Sequence, residues 1–285
     1  MEGPRWRAGR LAVIAPRGQE AYLFDAAGTL LTRRPAPTPN GTSWLDDTTL
    51  LFASMTDRIV YAWDTVADHL SEYADLREFA TGTLSDMMLA PDGHLYVGAH
   101  ADDALNVPKT ELNRPSILMR VSPDGSVAIE NEDLMWPNGV AITGGAGRVL
   151  VAETYASRIT SFSRRADGSL EPGTTWHTFA PRAPEDCGPG YWGQAFAPDG
   201  LCIDAEDGLW VADASGHGIT RLDAAGTVTD FIDTAPFAVF ASTLGGPEGR
   251  TLYMTAATQH GRDDIPGGRE PQLLAVEVEV PGPES

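Results

Sequence analysis

Residues 139–179 read GVAITGGAGRVLVAETYASRITSFSRRADGSLEPGTTWHTF, and this stretch decides the fold. Four strand-like runs, Gly139–Thr143, Arg148–Glu153, Arg158–Ser163 and Thr175–Phe179, are separated by turns rich in glycine and polar residues. A meander this tight leaves no length for a crossover helix, so a parallel α/β sheet is disfavoured. The following stretch repeats the order with Gly200–Asp204, Leu209–Asp213, Ile219–Leu222 and Val228–Ile232.

Working outward, one type of short apolar segment recurs along the chain: Arg10–Ile14, Leu50–Ser54, Leu95–Ala99, Val149–Glu153, Leu209–Asp213 and Thr251–Thr255. Each reads as a strand buried on both faces. Their central residues, Val13, Phe52, Val97, Val151, Val211 and Tyr253, return every 40 to 60 residues or so, which is roughly the period of propeller blades. The expected fold is all-β, a six-bladed β-propeller of four-stranded antiparallel blades forming one domain over residues 1–285. The sixth repeat offers Phe237–Leu244, Thr251–Ala256 and Leu273–Val280, with only Pro281–Ser285 beyond. Either the last blade has three strands or a segment upstream of Met1 completes it, and an open outer edge would offer a homodimer contact. Long third and fourth intervals mark insertions near Ala101–Arg114 and Pro181–Ala197, of a length more often functional or disordered than inert.

With 20 basic and 40 acidic side chains the formal charge is −20, which argues against nucleic acid and anionic membranes as partners. No apolar run approaches the roughly 18 residues of a membrane span, and the start lacks a signal-peptide pattern, so a cytoplasmic protein is expected. Cys187 and Cys202 have neither disulfide-scaffold nor zinc spacing. GxSxG, Walker and GxGxxG motifs are absent, which leaves serine-nucleophile, nucleotide and dinucleotide chemistry without support.

In a propeller, polar residues just before each innermost strand converge on the central channel. Glu2 (EGPRW), Ser85-Asp86 (LSDMM), Asn138 (WPNG) and Asp199 (APDG) hold such positions in the first, third, fourth and fifth repeats. Carboxylates and an amide oxygen meeting there would constitute a hard-oxygen site for one divalent cation, suited to Ca²⁺, Mg²⁺ or Mn²⁺ rather than a soft metal, with Zn²⁺ a further alternative. The competing reading is that Pro-Asn-Gly and Pro-Asp-Gly are ordinary turns, as Pro91-Asp92-Gly93 and Pro123-Asp124-Gly125 are expected to be.

The segments EGPRW (2–6), LSDMMLAPDGHLYVG (84–98), MWPNGVAIT (135–143), VLVAETYASRITSF (149–162), PDGLCIDAEDGLWVAD (198–213) and LGGPEGRTLY (244–253) resemble, in order, the regucalcin/gluconolactonase/luciferin-regenerating-enzyme family. The resemblance implies a six-bladed propeller with one divalent cation, often calcium, deep in the central pocket, and frequently lactonase activity. It carries the metal-ligand role to Glu2, Asn138 and Asp199, and the base or proton-carrier role to Asp199. The family's usual Asn before the Asp is replaced by Ser85, whose hydroxyl reaches less far. Where sugar-lactonase members place an Arg, this chain has Thr83, which points to a neutral or apolar small-molecule substrate.

Three functions remain open on these residues. The first is hydrolysis of a lactone or related ester, with the cation polarising a carbonyl and Asp199 accepting a proton from water. The second is a non-hydrolytic reaction at the same metal pocket, such as an isomerisation, elimination or cyclisation of specialised metabolism. The third is a non-catalytic binding propeller, or a purely structural metal. Candidate substrate contacts are Ser85, Asp86, His100, Tyr191 and Trp192. His100 either donates a hydrogen bond to a substrate oxygen or is solvated, and Tyr191 and Trp192 either cover the pocket or pack their loop. His217, in a Gly-flanked turn, reads as a surface group, and Met87 and Met88 read as core or pocket wall.

Overall fold

The computed structural model describes residues 1–103, 114–180, 196–258 and 271–283. The proposed insertions fall largely outside these residues, as do Tyr191, Trp192 and Cys187. The described chain forms six antiparallel sheets. The first comprises β1 (Glu2–Arg7), β2 (Arg10–Ala15), β3 (Glu20–Asp25) and β4 (Leu30–Pro35), and the second β5 (Pro39–Trp44), β6 (Thr49–Ser54), β7 (Ile59–Asp64) and β8 (His69–Asp75). The third holds β9 (Leu84–Leu89), β10 (Leu95–Ala99), β11 (Pro115–Val121) and β12 (Val127–Met135), and the fourth β13 (Pro137–Ile142), β14 (Arg148–Glu153), β15 (Arg158–Ser163) and β16 (Thr174–Thr178). The fifth holds β17 (Pro198–Ile203), β18 (Leu209–Asp213), β19 (Gly218–Leu222) and β20 (Val228–Asp233). The sixth, with β21 (Ala238–Gly245), β22 (Thr251–Ala257) and β23 (Gln272–Glu277), has three strands among the described residues.

The blades pack face to face, and this explains why the second strand of each repeat is apolar without alternation. Along β14, Val149 and Val151 join Tyr96 and Leu118 of the third blade, while Leu150 and Ala152 join Leu201 and Val211 of the fifth. Along β6, Leu50 and Phe52 face Ile14 and Leu23 of the first blade, and Leu51 and Ala53 face Met87 and Val97 of the third. Successive side chains of a strand point to opposite faces, so a strand between two neighbours must be apolar on both. The innermost strands β1, β5, β9, β13, β17 and β21 contact one another in sequence, and β21 returns to β1. Trp6 stacks on Tyr253 across that last seam, ring centroids 5.5 Å apart. The PDG tripeptides at 91–93 and 123–125 are turns with left-handed glycines, Gly93 N–H bonding the Ala90 carbonyl and Gly125 N–H that of Ser122.

Candidate functional site

Pairing between first and second strands is irregular near the start of every innermost strand, and the candidate residues sit at that irregularity rather than ahead of the strand. Pairing resumes at Met87↔Val97, Val140↔Val151 and Leu201↔Val211, and Ser85, Asn138 and Asp199 each lie two residues before that point. Such bulges re-aim side chains and recur beside active sites. Glu2 opens β1 and is followed by Gly3, as Asn138 and Asp199 are followed by Gly139 and Gly200. The small residue lets neighbouring inner strands approach closely: a Cβ on Gly139 would lie 2.4 Å from the Asp199 carbonyl oxygen. This contact brings the Asn138 and Asp199 levels together.

The electrostatics report the same convergence. Asp199 is 7% exposed, and its carboxyl is pushed well above the usual range, first by burial and then by repulsion from Glu2 and Asp86. Glu2 is raised as well, chiefly by desolvation, with Asp86 adding to the effect and the chain's amino terminus opposing it. A positive charge placed beside buried carboxyl groups of raised pKa would favour their ionised forms. Ser85 is 1% exposed, and its Oγ has no hydrogen-bond partner. Asn138 Nδ2 donates to Thr154 Oγ1 at 3.4 Å, and Thr154 Oγ1 donates to the Pro198 carbonyl at 2.8 Å. Because the hydroxyl proton is already spent on Pro198, Thr154 accepts from the amide nitrogen and leaves Asn138 Oδ1 for another partner. An orphaned hydroxyl, a directed amide oxygen and two mutually repelling carboxyls fit a hard divalent cation. Among the described residues no three His, Cys, Asp or Glu side chains gather closely enough to hold an ion alone, so the Asn138 and Ser85 oxygens would have to take part.

Asp86 is turned elsewhere. Its Oδ1 accepts from the Met87 N–H at 2.8 Å and from Arg5 Nη2 at 3.4 Å, and the Val140 N–H also faces it. Burial raises its pKa while Arg5 and these amides lower it. Protein donors from three blades thus occupy the carboxylate expected from sequence to meet substrate, and Asp86 serves as a tie between the inner strands. Arg5, 8% exposed, also lines a cavity of about 1060 Å³ together with Met88, Cys202 and Ser242 among others. That cavity includes none of Glu2, Ser85, Asn138 or Asp199. Met87 is fully buried in the core between the second and third blades, and His217 is exposed.

His100 follows β10 and is 4% exposed, sandwiched rather than solvated. Its ring stacks on Trp136 with centroids 3.7 Å apart, and its Nδ1 lies 3.1 Å from Thr83 Oγ1. Burial pushes its pKa down to about 3, against a smaller opposing effect of the Pro137 carbonyl, so the ring is neutral at physiological pH. Trp136 in turn meets the edge of Tyr155 at 5.1 Å, giving an aromatic wall next to Asn138. Sequence reasoning missed Trp136, Tyr155 and Thr154, because nothing local distinguishes them from core or turn residues. It also passed over Asn40, although Pro39-Asn40-Gly41 repeats Pro137-Asn138-Gly139 letter for letter.

A family model described as SMP-30/Gluconolactonase/LRE-like region matches residues 1–258. A pentonolactonase of Haloferax volcanii is 23% identical over 65% of this chain, a match spanning 57% of that relative's length. Among solved structures, a luciferin-regenerating enzyme superposes with a TM-score of 0.80 at 18% identity, covering 99% of this chain and 92% of the other. A protein described as calcium-binding, regucalcin from Agrobacterium tumefaciens, superposes with a TM-score of 0.79 at 20% identity, covering 99% and 90%. At these identities the structural likenesses speak for the fold. Among the described residues no helix is long and apolar enough to cross a membrane.

Proposed function

Because this chain belongs to the SMP-30/gluconolactonase/LRE-like family, we propose that it hydrolyses a lactone or related ester at the channel level where Glu2, Ser85, Asn138 and Asp199 face one another. The observation that carries this reading is the fully buried Ser85 hydroxyl without a hydrogen-bond partner, at the register shared by Asn138 and Asp199, with burial raising both the Asp199 and Glu2 carboxyls and Glu2 and Asp86 adding to the effect on Asp199. Glu2, Asn138 and Asp199, with Ser85, would hold a divalent cation, calcium in the first place given the calcium-binding relative. When bound, such an ion supplies Lewis-acid polarisation of a carbonyl and offsets negative charge that develops in the transition state.

The chain's own residues do the rest. Asp199, the carboxyl placed at this level by the fifth blade, accepts a proton from the attacking water. The water oxygen bonds to the carbonyl carbon, the ring carbon–oxygen bond breaks, and the proton held by Asp199 passes to the departing alkoxide to give a hydroxy acid. Thr154 keeps the Asn138 amide from rotating, and the aromatic wall of His100, Trp136 and Tyr155 limits water beside it. The ionisable side chains of Glu2, Asp86 and Asp199 are acidic, and Arg5 is committed to Asp86. A neutral or apolar lactone is therefore favoured over an anionic one.

Metal analysis of the purified protein, followed by a lactone panel with and without chelator, tests the reading. Turnover that needs the ion and disappears in Asp199→Ala is the expected result. Hydrolysis indifferent to chelation would overturn the metal site, and a bound ion with no hydrolysis of any lactone would point instead to non-hydrolytic chemistry in the same channel.

A further inference from the structure

The second blade contributes a polar side chain at the same level as the four residues above. In β5, pairing with β6 resumes at Thr42↔Phe52, and Asn40 lies two residues before it, the register of Ser85, Asn138 and Asp199. Gly41 has φ +40°, and a Cβ there would lie 2.7 Å from both the Asp86 Cα and the Ser85 carbonyl oxygen. At this height β5 therefore lies directly against β9, which sets Asn40 next to Ser85 on the channel side of the ring. Asn40 is partly exposed, whereas the Thr42 hydroxyl two residues on is fully buried and spent on the Gly3 carbonyl at 2.5 Å. Four inner strands thus bring an oxygen-bearing side chain to one register, Asn40, Ser85, Asn138 and Asp199, while in β1 that register falls on Gly3 and Glu2 stands one residue before it, close enough to act on Asp199. The sixth brings Val239, the residue two before its own resumption at Ala241↔Thr255.

The donor chemistry gives this arrangement a purpose. A calcium-sized cation takes six to eight or so oxygen ligands, more than Glu2, Ser85, Asn138 and Asp199 supply one apiece. Ser85 is the shortest of these side chains, so the third blade reaches least far toward the axis, and the adjacent position belongs to Asn40. Asn40-Gly41 stands at the second and third positions of β5, where the left-handed Gly41 serves the strand irregularity and no hairpin turns, so the choice of asparagine is not set by a hairpin.

We propose that Asn40 is a further oxygen donor of the channel cation site, the second blade's counterpart of Asn138. The inference rests on the reading of Glu2, Asn138 and Asp199 as a divalent-cation site and extends it to a blade that reading leaves unused. It is tested on the full chain, stripped with chelator, by calorimetric titration with CaCl₂ and by tryptophan-sensitised Tb³⁺ luminescence, neither of which needs a substrate. Asn40→Ala is expected to weaken Ca²⁺ binding about tenfold or more. Asn40→Asp, which keeps an oxygen and adds charge, is expected to hold or raise the affinity, and Asn131→Ala on the outer strand β12 to leave it unchanged. The ion-free melting temperature of each variant separates loss of a ligand from loss of fold. Wild-type affinity in Asn40→Ala, alongside weakened binding in Asn138→Ala, would overturn the role of Asn40 and leave the cation site standing. Failure of the wild-type chain to bind any divalent ion would remove the site itself, and the inference with it.

Discussion

Replacing His100 with asparagine removes a buried imidazole whose pKa is depressed from 6.5 to about 3 by desolvation, while keeping a polar group for Thr83. In the unfolded chain the ring titrates near its ordinary value, so between about pH 6.5 and pH 3 the unfolded state binds the extra proton. Stability contributed by the neutral buried ring is therefore fully present above pH 6.5 and is lost as the pH falls toward 3. At pH 5 the unfolded ring is protonated about thirty to one and the folded ring about one to a hundred, which costs the native state roughly 2 kcal/mol relative to pH 8. Urea unfolding followed by tryptophan fluorescence at pH 8 and pH 5, on the wild-type chain and His100→Asn, isolates this group, because all other titrations cancel in the difference. The stability advantage of wild type over variant should shrink by about 2 kcal/mol between pH 8 and pH 5. An advantage unchanged to within about 0.5 kcal/mol would refute the burial of a neutral His100, and with it the closed aromatic wall beside Asn138.

Thr154→Val keeps the shape of the side chain but removes both the Pro198 bond and the acceptor for Asn138; thermal unfolding should register a loss of about 1–2 kcal/mol, and calcium titration a weaker ion affinity. Gly139→Ala forces a methyl to within 2.4 Å of the Asp199 carbonyl and should destabilise by about 1–3 kcal/mol, whereas Gly145→Ala, with nothing within 4 Å, should be near neutral in the same melts. Glu153, fully buried, accepts from Arg158 Nε at 2.7 Å, Arg158 Nη2 at 2.9 Å and the Met135 N–H at 2.8 Å. Glu153→Ala should cost about 3–5 kcal/mol in urea unfolding, because it leaves a cation and an amide without their partner.

The blade repeat was legible because strand signals are local. RVLVAE, LWVAD and LYVGA announce a strand apolar on both faces wherever they occur, while the sixth repeat left open a three-stranded last blade or its completion from upstream of Met1, and that blade has three strands among the described residues. The heads of the inner strands also carry a local mark, because an acidic or amide residue followed by glycine stands at Glu2, Asn40, Asn138 and Asp199. Asp86 shows the limit. From sequence it belonged with Ser85, yet neighbouring side chains at a bulge diverge, and Ser85 stays unpartnered while Asp86 turns to Arg5 and the Val140 amide. Asn40 shows the opposite failure, since its tripeptide matches that of Asn138 but its register against β6 becomes visible only once the strands are paired.

The amino-acid order alone thus determined how many blades form, where their turns fall and which residue types stand at the head of each inner strand, all properties carried by segments of five or ten residues. Only the closed ring decided which of those residues meet. The burial and the Glu2 charge that raise Asp199 come from chain positions as much as nearly two hundred residues away, and the depression of His100 depends on what covers it. Neither distance nor dielectric can be read from a linear pattern, because both are set by the packing of blades that are remote along the chain.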